Sequence, residues 1–267
     1  MRLPDPLPPV ALRPGQRVYF ASDFHLGVPD EARSRVRELK IIRWLDMARQ
    51  DAAAIYLLGD VFDFWFEYRH AIPKGFTRLK GKLAELTDGG LPVTIFTGNH
   101  DMWLFDYFPR ELGIPVVRRP VSLTLGAHRF VLGHGDGLGP NDYTYKVLKR
   151  VFASPVAQWL FARFHPNFGI GLASFWSRRS RLAGTKKEEV YLGDDEWLLQ
   201  YCRNVQTRQP HDYYVFGHRH LPLDVAVDAT SRYLNLGEWV NYCSYAVYDG
   251  HTLRLEYFEP SRRSTSM

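Results

Sequence analysis

Cysteine is scarce. Cys202 and Cys243 are the only two among 267 residues, too few for a disulfide framework and in keeping with a reducing compartment. No uninterrupted apolar run reaches the ~18 residues of a membrane-spanning helix. The stretch from Met1 to Pro14 is rich in proline and lacks an apolar signal core. Charge of one sign is also lacking: 34 basic against 29 acidic residues leave a net +5, which suits phosphates, anionic headgroups or nucleic acid without requiring any of them. No repeat of solenoid period is present. These absences lead to the expectation of a soluble, cytoplasmic protein. Apolar residues, in contrast, make up 45% of the chain, enough to bury the core of one large α/β domain or of a domain with a sizeable insertion.

The organising stretch is Ile55-Tyr56-Leu57-Leu58-Gly59-Asp60-Val61-Phe62-Asp63. Ala52 to Leu58 is continuously apolar, which predicts a strand covered on both faces of a sheet. Gly59 then turns the backbone and leaves Asp60 at the carboxyl edge, where open α/β sheets bind ligands. One Gly-Asp pair proves little, because an Asp after a strand is more often a cap or a turn residue. The same construction recurs four times, however. Arg17 to Ser22 delivers Asp23-Phe24-His25, and Pro92 to Thr97 delivers Gly98-Asn99-His100-Asp101. Arg129 to Leu132, paired with Val121 to Leu125 about Gly126-Ala127, delivers Gly133-His134-Gly135-Asp136. Tyr213 to Phe216 delivers Gly217-His218-Arg219-His220.

Between these strands, Val36, Leu39, Ile42, Leu45 and Ala48 recur at helical spacing, and a second helix presents Leu79, Leu83 and Leu86 before stopping at Asp88-Gly89-Gly90. Short β runs follow at Val225–Val227, Tyr233–Leu236, Tyr245–Tyr248 and Leu253–Phe258, the last two joined by the hairpin signal Asp249-Gly250. Residues 1–16 read as a loosely held N-terminal extension and 261–267 as a polar tail. Residues 137–212 greatly exceed the ~30 that a strand–helix–strand unit needs. There Phe152, Trp159, Phe161, Phe164, Phe168 and Trp176 alternate with Arg150, Arg163, Arg178 and Arg179. That composition predicts a largely helical lid inserted into a core formed by 17–136 and 213–260.

Five strand ends thus supply Asp23, His25, Asp60, Asn99, His100, His134, His218 and His220. Taken singly, each has a plain structural explanation: Asp23 as a cap, His134 as a half-buried core histidine. Taken together, carboxylate, amide oxygen and imidazole suit Mn, Fe or Zn rather than Ca or Mg. The groups are too many for one ion and fit two that share a bridging carboxylate. Two ions ~3.5–4 Å apart clamp the attacking and leaving oxygens of an in-line phosphoryl displacement. If the strand before Gly217 continues, His218 and His220 project to the same side.

The ordered series Asp-x-His, Gly-Asp-x-x-Asp, Gly-Asn-His-Asp, Gly-His and Gly-His-x-His, running from Arg17 to about Tyr257, resembles the calcineurin-like metallophosphoesterases. The resemblance implies an α/β four-layer α/β/β/α sandwich of two mixed sheets flanked by helices. It assigns Asp23, His25, Asp60 and His220 to one ion, and Asp60, Asn99, His134 and His218 to a second. It makes His100 the group that stabilises charge or protonates the leaving group, with the Asp63 carboxylate orienting it. A carboxylate partner fixes the tautomer and favours the imidazolium, as a general acid requires. The expected cofactor is a pair of divalent ions, manganese first, with iron or zinc as alternatives.

Within that superfamily, Leu58-Gly59-Asp60-Val61-Phe62-Asp63-Phe64-Trp65, then His134-Gly135-Asp136-Gly137-Leu138 with Asp142 and Tyr145, and Leu236-Gly237-Glu238-Trp239 resemble the UDP-2,3-diacylglucosamine diphosphatases of lipid A biosynthesis. That group splits a lipid-linked pyrophosphate into UMP and 2,3-diacylglucosamine 1-phosphate. The resemblance implies substrate contacts from Asn99, His100, Asp142 and Tyr145. Arg178 and Arg179 would serve the headgroup, and Trp159 and Phe168 the acyl chains, since a pyrophosphate needs cations and lipid tails need an apolar slot. It also implies peripheral association with the anionic inner membrane, and no obligate protein partner is evident. The chain departs from the group at His100, where many members carry Arg. A phosphodiesterase for nucleotides or nucleic acid is the alternative, and it calls for a basic groove with stacking aromatics. A non-enzymatic scaffold of this fold would have lost ligands, and none is missing.

Overall fold

The computed structural model describes residues 3–140, 143–172 and 190–259. One six-stranded sheet has the order β12 (Leu253–Tyr257), β11 (Ser244–Tyr248), β2 (Arg17–Ala21), β3 (Ala52–Leu57), β4 (Val93–Phe96), β5 (Val116–Val117). The second runs β1 (Asp5–Pro6), β6 (Val121–Leu125), β7 (His128–Gly133), β8 (Tyr213–Phe216), β10 (Arg232–Leu236), β9 (Pro222–Ala226). Period-two alternation explains how they stack. In β2, Val18 and Phe20 enter the core between the sheets, while Tyr19 and Ala21 face the helices on the other side. Tyr56 and Leu58 face inward and Ile55 and Leu57 outward in the same way. In β8, Tyr213 and Val215 meet the first sheet, whereas Tyr214 and Phe216 meet a helix. The continuous apolar runs are therefore strands buried on both faces, and three cores define four layers.

Helices α1 (Glu31–Ala48), α2 (Thr77–Asp88) and α3 (Tyr107–Leu112) cover the first sheet. In α2 the buried residues are Leu79, Leu83 and Leu86, as the spacing predicts. The α1 face differs from the expected one. Val36 and Leu39 are 64% and 39% exposed, and the inward residues are Ser34, Arg37, Glu38, Ile41, Trp44, Leu45 and Ala48. Two charges turn the helix this way because each finds backbone partners inside. Arg37 donates to the carbonyls of Phe24, His25 and Val28, and Glu38 accepts from the Leu79 amide.

Two further expectations are corrected. The N-terminal segment is not loose: β1 pairs in parallel with β6, Val10 N donates to Thr124 O at 3.0 Å, and Leu7, Val10 and Leu12 pack on the inter-sheet core. Among the described residues of 137–212, only α4 (Tyr143–Phe152), α5 (Pro155–Phe161) and the helical residues 166–172 (α6) stand apart from the sheets. Helix α7 (Trp197–Gln206) is the outer layer of the second sheet, its Leu198, Leu199, Cys202 and Val205 packing with Val131, Tyr214, Phe216 and Tyr233. Among the described residues no helix is long and apolar enough to cross a membrane.

Candidate metal centre

Strands β2, β3 and β4 are parallel to one another, as are β7 and β8, so their carboxyl ends reach one rim. There Asp23, His25, Asp60 and His220 each bring one donor atom within 4.8 Å of the others. His25 Nε2 and His220 Nε2 face each other at 3.1 Å, with Asp23 Oδ1 3.5 Å from the first and 3.2 Å from the second. A second group gathers about Asn99 Oδ1, which lies 3.2 Å from His134 Nε2 and 2.9 Å from His218 Nδ1. Asp60 Oδ2 joins the two groups, 3.8 Å from His25 Nε2 and 3.4 Å from His134 Nε2. Both Asp23 Oδ1 and Asp60 Oδ2 are buried without a hydrogen-bond partner, a costly state for an ionised carboxylate unless a cation lies against it. The donor set fits two divalent ions sharing Asp60.

The other carboxylate oxygens organise the backbone. Asp60 Oδ1 accepts from His100 N at 2.8 Å and Asp23 Oδ2 from His218 N at 3.0 Å. Two glycines make room for this: a Cβ on Gly98 would lie 2.1 Å from Asp60 Oδ1, and one on Gly217 2.4 Å from Asp23 Oδ2. Asp23, His25, Asp60, His218 and His220 all have positive φ, between 45° and 67°, the left-handed region that side-chain-bearing residues avoid. The strand before Gly217 therefore does not continue through the histidine pair as expected; β8 ends at Phe216. Such strain collects at functional sites.

Sequence reasoning missed the residues that hold these loops. Asp101 accepts from the amides of Gly98 and Val61 at 2.7 and 2.8 Å, lacing the β4 loop to the β3 loop. Burial, then the neighbouring Asp60 charge, raises its carboxyl pKa to about 7. Arg37 clamps the β2 loop through the three carbonyls named above. Trp239 donates its amide to Asp23 O at 3.1 Å and packs edge-on to Phe24. Burial alone would raise the Asp60 pKa, but His134, His100 and His25 reverse this and hold it well below the ordinary carboxylate value. His134 Nδ1 lies 2.8 Å from the Leu58 carbonyl; donation there leaves Nε2 as the outward donor atom, the arrangement typical of a metal-binding histidine. His100 Nδ1 is 3.0 Å from the backbone carbonyl of Asp63 but 3.7 Å from its carboxylate, which is also 3.6 Å from His25 Nδ1. The closer partner of His100 is thus the main chain of Asp63, and its carboxylate stands between two imidazoles.

A family model described as calcineurin-like phosphoesterase matches residues 16–222. The chain belongs to the calcineurin-like phosphoesterases. Among curated proteins it is 42% identical over 260 residues to one named UDP-2,3-diacylglucosamine hydrolase from Porphyromonas gingivalis, covering 91% of this chain and 98% of that protein. A protein of the same name from Vibrio vulnificus (strain YJ016) is 27% identical over 246 residues, covering 88% and 95%. A solved dimetal phosphatase from Danio rerio aligns over 92% of this chain and 100% of its own at 13% identity, with a TM-score of 0.47 too low to add to the assignment.

Helices α4 and α5 of this phosphoesterase are fastened to the loops that follow the strand ends. Tyr145 Oη and Lys149 Nζ reach Asp136 Oδ2 at 2.7 and 2.6 Å, two residues past His134. Trp103 Nε1, three residues past His100, donates to Phe152 O at 2.9 Å. Phe161 seats α5 on Phe66 and Trp103, with ring centroids 4.7 and 4.8 Å apart. A cavity of about 610 Å³ opens beside Asp63, lined by Leu26, Phe64, Ile72 and Phe76 of the core and by Pro166, Asn167 and Ile170 of α6. Trp159 and Phe168 do not line it; they are 56% and 59% exposed, Trp159 with the Arg163 guanidinium 4.5 Å from its ring centroid. Tyr145 stands close to the centre, its ring 6.4 Å from that of His218. Asp142, Arg178 and Arg179 fall outside the described residues.

Proposed function

We propose that this phosphoesterase hydrolyses the pyrophosphate of UDP-2,3-diacylglucosamine, releasing UMP and 2,3-diacylglucosamine 1-phosphate. One observation carries the reading: two donor clusters joined at Asp60 lie next to an apolar-walled cavity under a lid, the pairing of chemistries that a lipid-linked nucleotide needs. The similarity to a protein named for that substrate, along nearly the whole of both chains, supports it. Asp23, His25, Asp60 and His220 would hold one ion, and Asp60, Asn99, His134 and His218 the other, manganese being the metal we favour. Two divalent ions bound there supply the Lewis acidity that polarises a phosphoryl group and eases deprotonation of a water.

The chain's own residues do the rest. Donation from His100 Nδ1 to the Asp63 carbonyl fixes the ring and leaves Nε2 to carry a proton to the departing oxygen, while the nearby Asp63 carboxylate favours the imidazolium. Asn99 and Tyr145 line the approach to the second ion. The cavity beside Asp63 takes an acyl chain, and its lining of Phe64, Ile72, Phe76 and Ile170 is unsuited to nucleic acid. Val147, Val151, Val156, Trp159, Leu160 and Phe168 are half exposed or more among Lys146, Arg150 and Arg163. They form an apolar and basic face suited to lying on the anionic inner membrane from the cytoplasmic side. The decisive experiment incubates Mn-loaded protein with UDP-2,3-diacylglucosamine in detergent. Release of UMP is expected; UDP, or no nucleotide at all, refutes the assignment.

A further inference from the structure

Arg219 stands between the two histidines of the β8 loop, yet it is directed away from the metal centre. It is fully buried, as is Glu196 at the start of α7. Arg219 Nε donates to Glu196 Oε1 at 2.9 Å, Nη2 donates to the Val190 carbonyl, and the guanidinium lies 5.0 Å from the centroid of the Trp197 ring. Trp197 also packs on the outgoing end of the insertion, where a Cβ on Gly139 would lie 2.4 Å from its own Cβ. Both ends of the insertion thus meet at the residue on which Arg219 rests.

The neighbours of Arg219 explain why a charge is kept there. His218 and His220 hold φ of 67° and 56°, a conformation that a loop relinquishes unless its surroundings enforce it. A guanidinium has a planar fork with fixed donor directions, so one side chain can define the orientation of the peptide that bears it. A buried ion pair is poor at raising stability, because desolvation offsets its attraction, but it can select one geometry over its competitors.

We propose that Arg219, anchored by Glu196, is a positioning residue of the metal centre: it holds the His218–His220 loop in the left-handed form that aims both imidazoles at Asn99 and Asp23, and it ties that loop to the return segment of the lid. The inference rests on the metal-centre reading above. The test compares wild type with Arg219→Met/Glu196→Leu, which removes both charges together and leaves neither unpaired, and with Arg219→Lys, which keeps the charge but loses the fork. Apo-protein is titrated with Mn²⁺, free ion is read by its paramagnetic resonance signal, and folding is followed by circular dichroism. The double variant should fold with a thermal midpoint near wild type yet bind Mn²⁺ ~10–100-fold more weakly, the usual cost of losing an outer partner of a metal ligand. Arg219→Lys should fall between. A folded double variant whose affinity stays within about twofold of wild type overturns the proposal. If the double variant does not fold, Arg219→Lys decides alone, and wild-type affinity there overturns it equally. Wild type that takes up no Mn²⁺ overturns this proposal and the metal-centre reading together, so the two failures are distinguishable.

Discussion

Replacing Gly98 with Ala removes no ligand and asks for no forbidden backbone, since Gly98 is not among the residues of positive φ. The added methyl would nonetheless lie 2.1 Å from Asp60 Oδ1 and 2.6 Å from Asp60 N. A carbon and an oxygen that are not bonded stay ~3 Å apart or more, so the carboxylate or the β4 loop must shift by roughly 1 Å in a close-packed site. That shift also strains the 2.8 Å bond from His100 N to the same oxygen, so the proposed bridge and the proposed acid move together. A displacement of this size costs ~100-fold in rate, about 2.7 kcal/mol of barrier, whereas overpacking costs the fold only ~1–3 kcal/mol. The assay is kcat on bis-p-nitrophenyl phosphate at saturating Mn²⁺, with metal content by mass spectrometry and stability by urea unfolding. Gly81→Ala is the control, being exposed within α2 with nothing inside 4 Å of the new Cβ. It should leave the rate alone and add ~0.5–1 kcal/mol of stability. A Gly98→Ala enzyme within about threefold of wild-type kcat would refute the idea that the glycine serves carboxylate placement.

Asp60→Asn, nearly isosteric, should leave the fold intact and reduce kcat to well under about a tenth of wild type, since the proposed shared ligand of both ions loses its charge; substantial residual turnover would argue against sharing. His100→Ala should lower kcat by ~100-fold or more with metal content unchanged, in the range of lost general acid catalysis, and loss of an ion instead would make His100 a ligand. Trp159→Ser and Phe168→Ser should weaken co-sedimentation with anionic liposomes and slow cleavage of the diacylated nucleotide while sparing bis-p-nitrophenyl phosphate. Parallel loss of both activities would make this face a structural part of the core. His211 is buried against Ser122 Oγ and the Gln209 carbonyl, and burial depresses its pKa to about 4. The unfolded chain takes up this proton near pH 6.5 and the folded one does not, so stability present above that pH falls as pH drops towards 4, by up to ~3 kcal/mol. Urea midpoints of wild type should therefore decline more steeply from pH 7 to 4.5 than those of His211→Asn, and equal slopes would refute it.

The strand ends were legible because an apolar run broken by glycine and a carboxylate or histidine is a local pattern, as at Leu58-Gly59-Asp60. The hairpin at Gly126-Ala127 and the leucine face of α2 were legible for the same reason. What escaped was set by partners distant in sequence. Val36 and Leu39 carry the apolar period of α1, yet Arg37 and Glu38 turn the helix because the carbonyls of 24–28 and the amide of Leu79 await them. Prolines around Asp5 and Pro6 disguise a strand whose only merit is the rim of β6. Helix α7 was hidden in an aromatic stretch whose composition resembles the lid's. Asp101 directly follows Gly-Asn-His and Arg219 stands within Gly-His-Arg-His, and that adjacency was the one available signal for each; Arg37 has none, because a guanidinium reaching remote carbonyls leaves no spacing to read.

Among the described residues the two sheets end on four rims, each short, proline-bearing or charged. β1 and β5 are two residues long, with Pro6 in β1; β9 begins at Pro222; and β12 sets Arg254 and Glu256 along its edge. Proline lacks the N–H that an added strand would need, and charged or very short edges resist pairing. Growth by strand addition, the route to swapped dimers and fibrils, is thus discouraged at every rim.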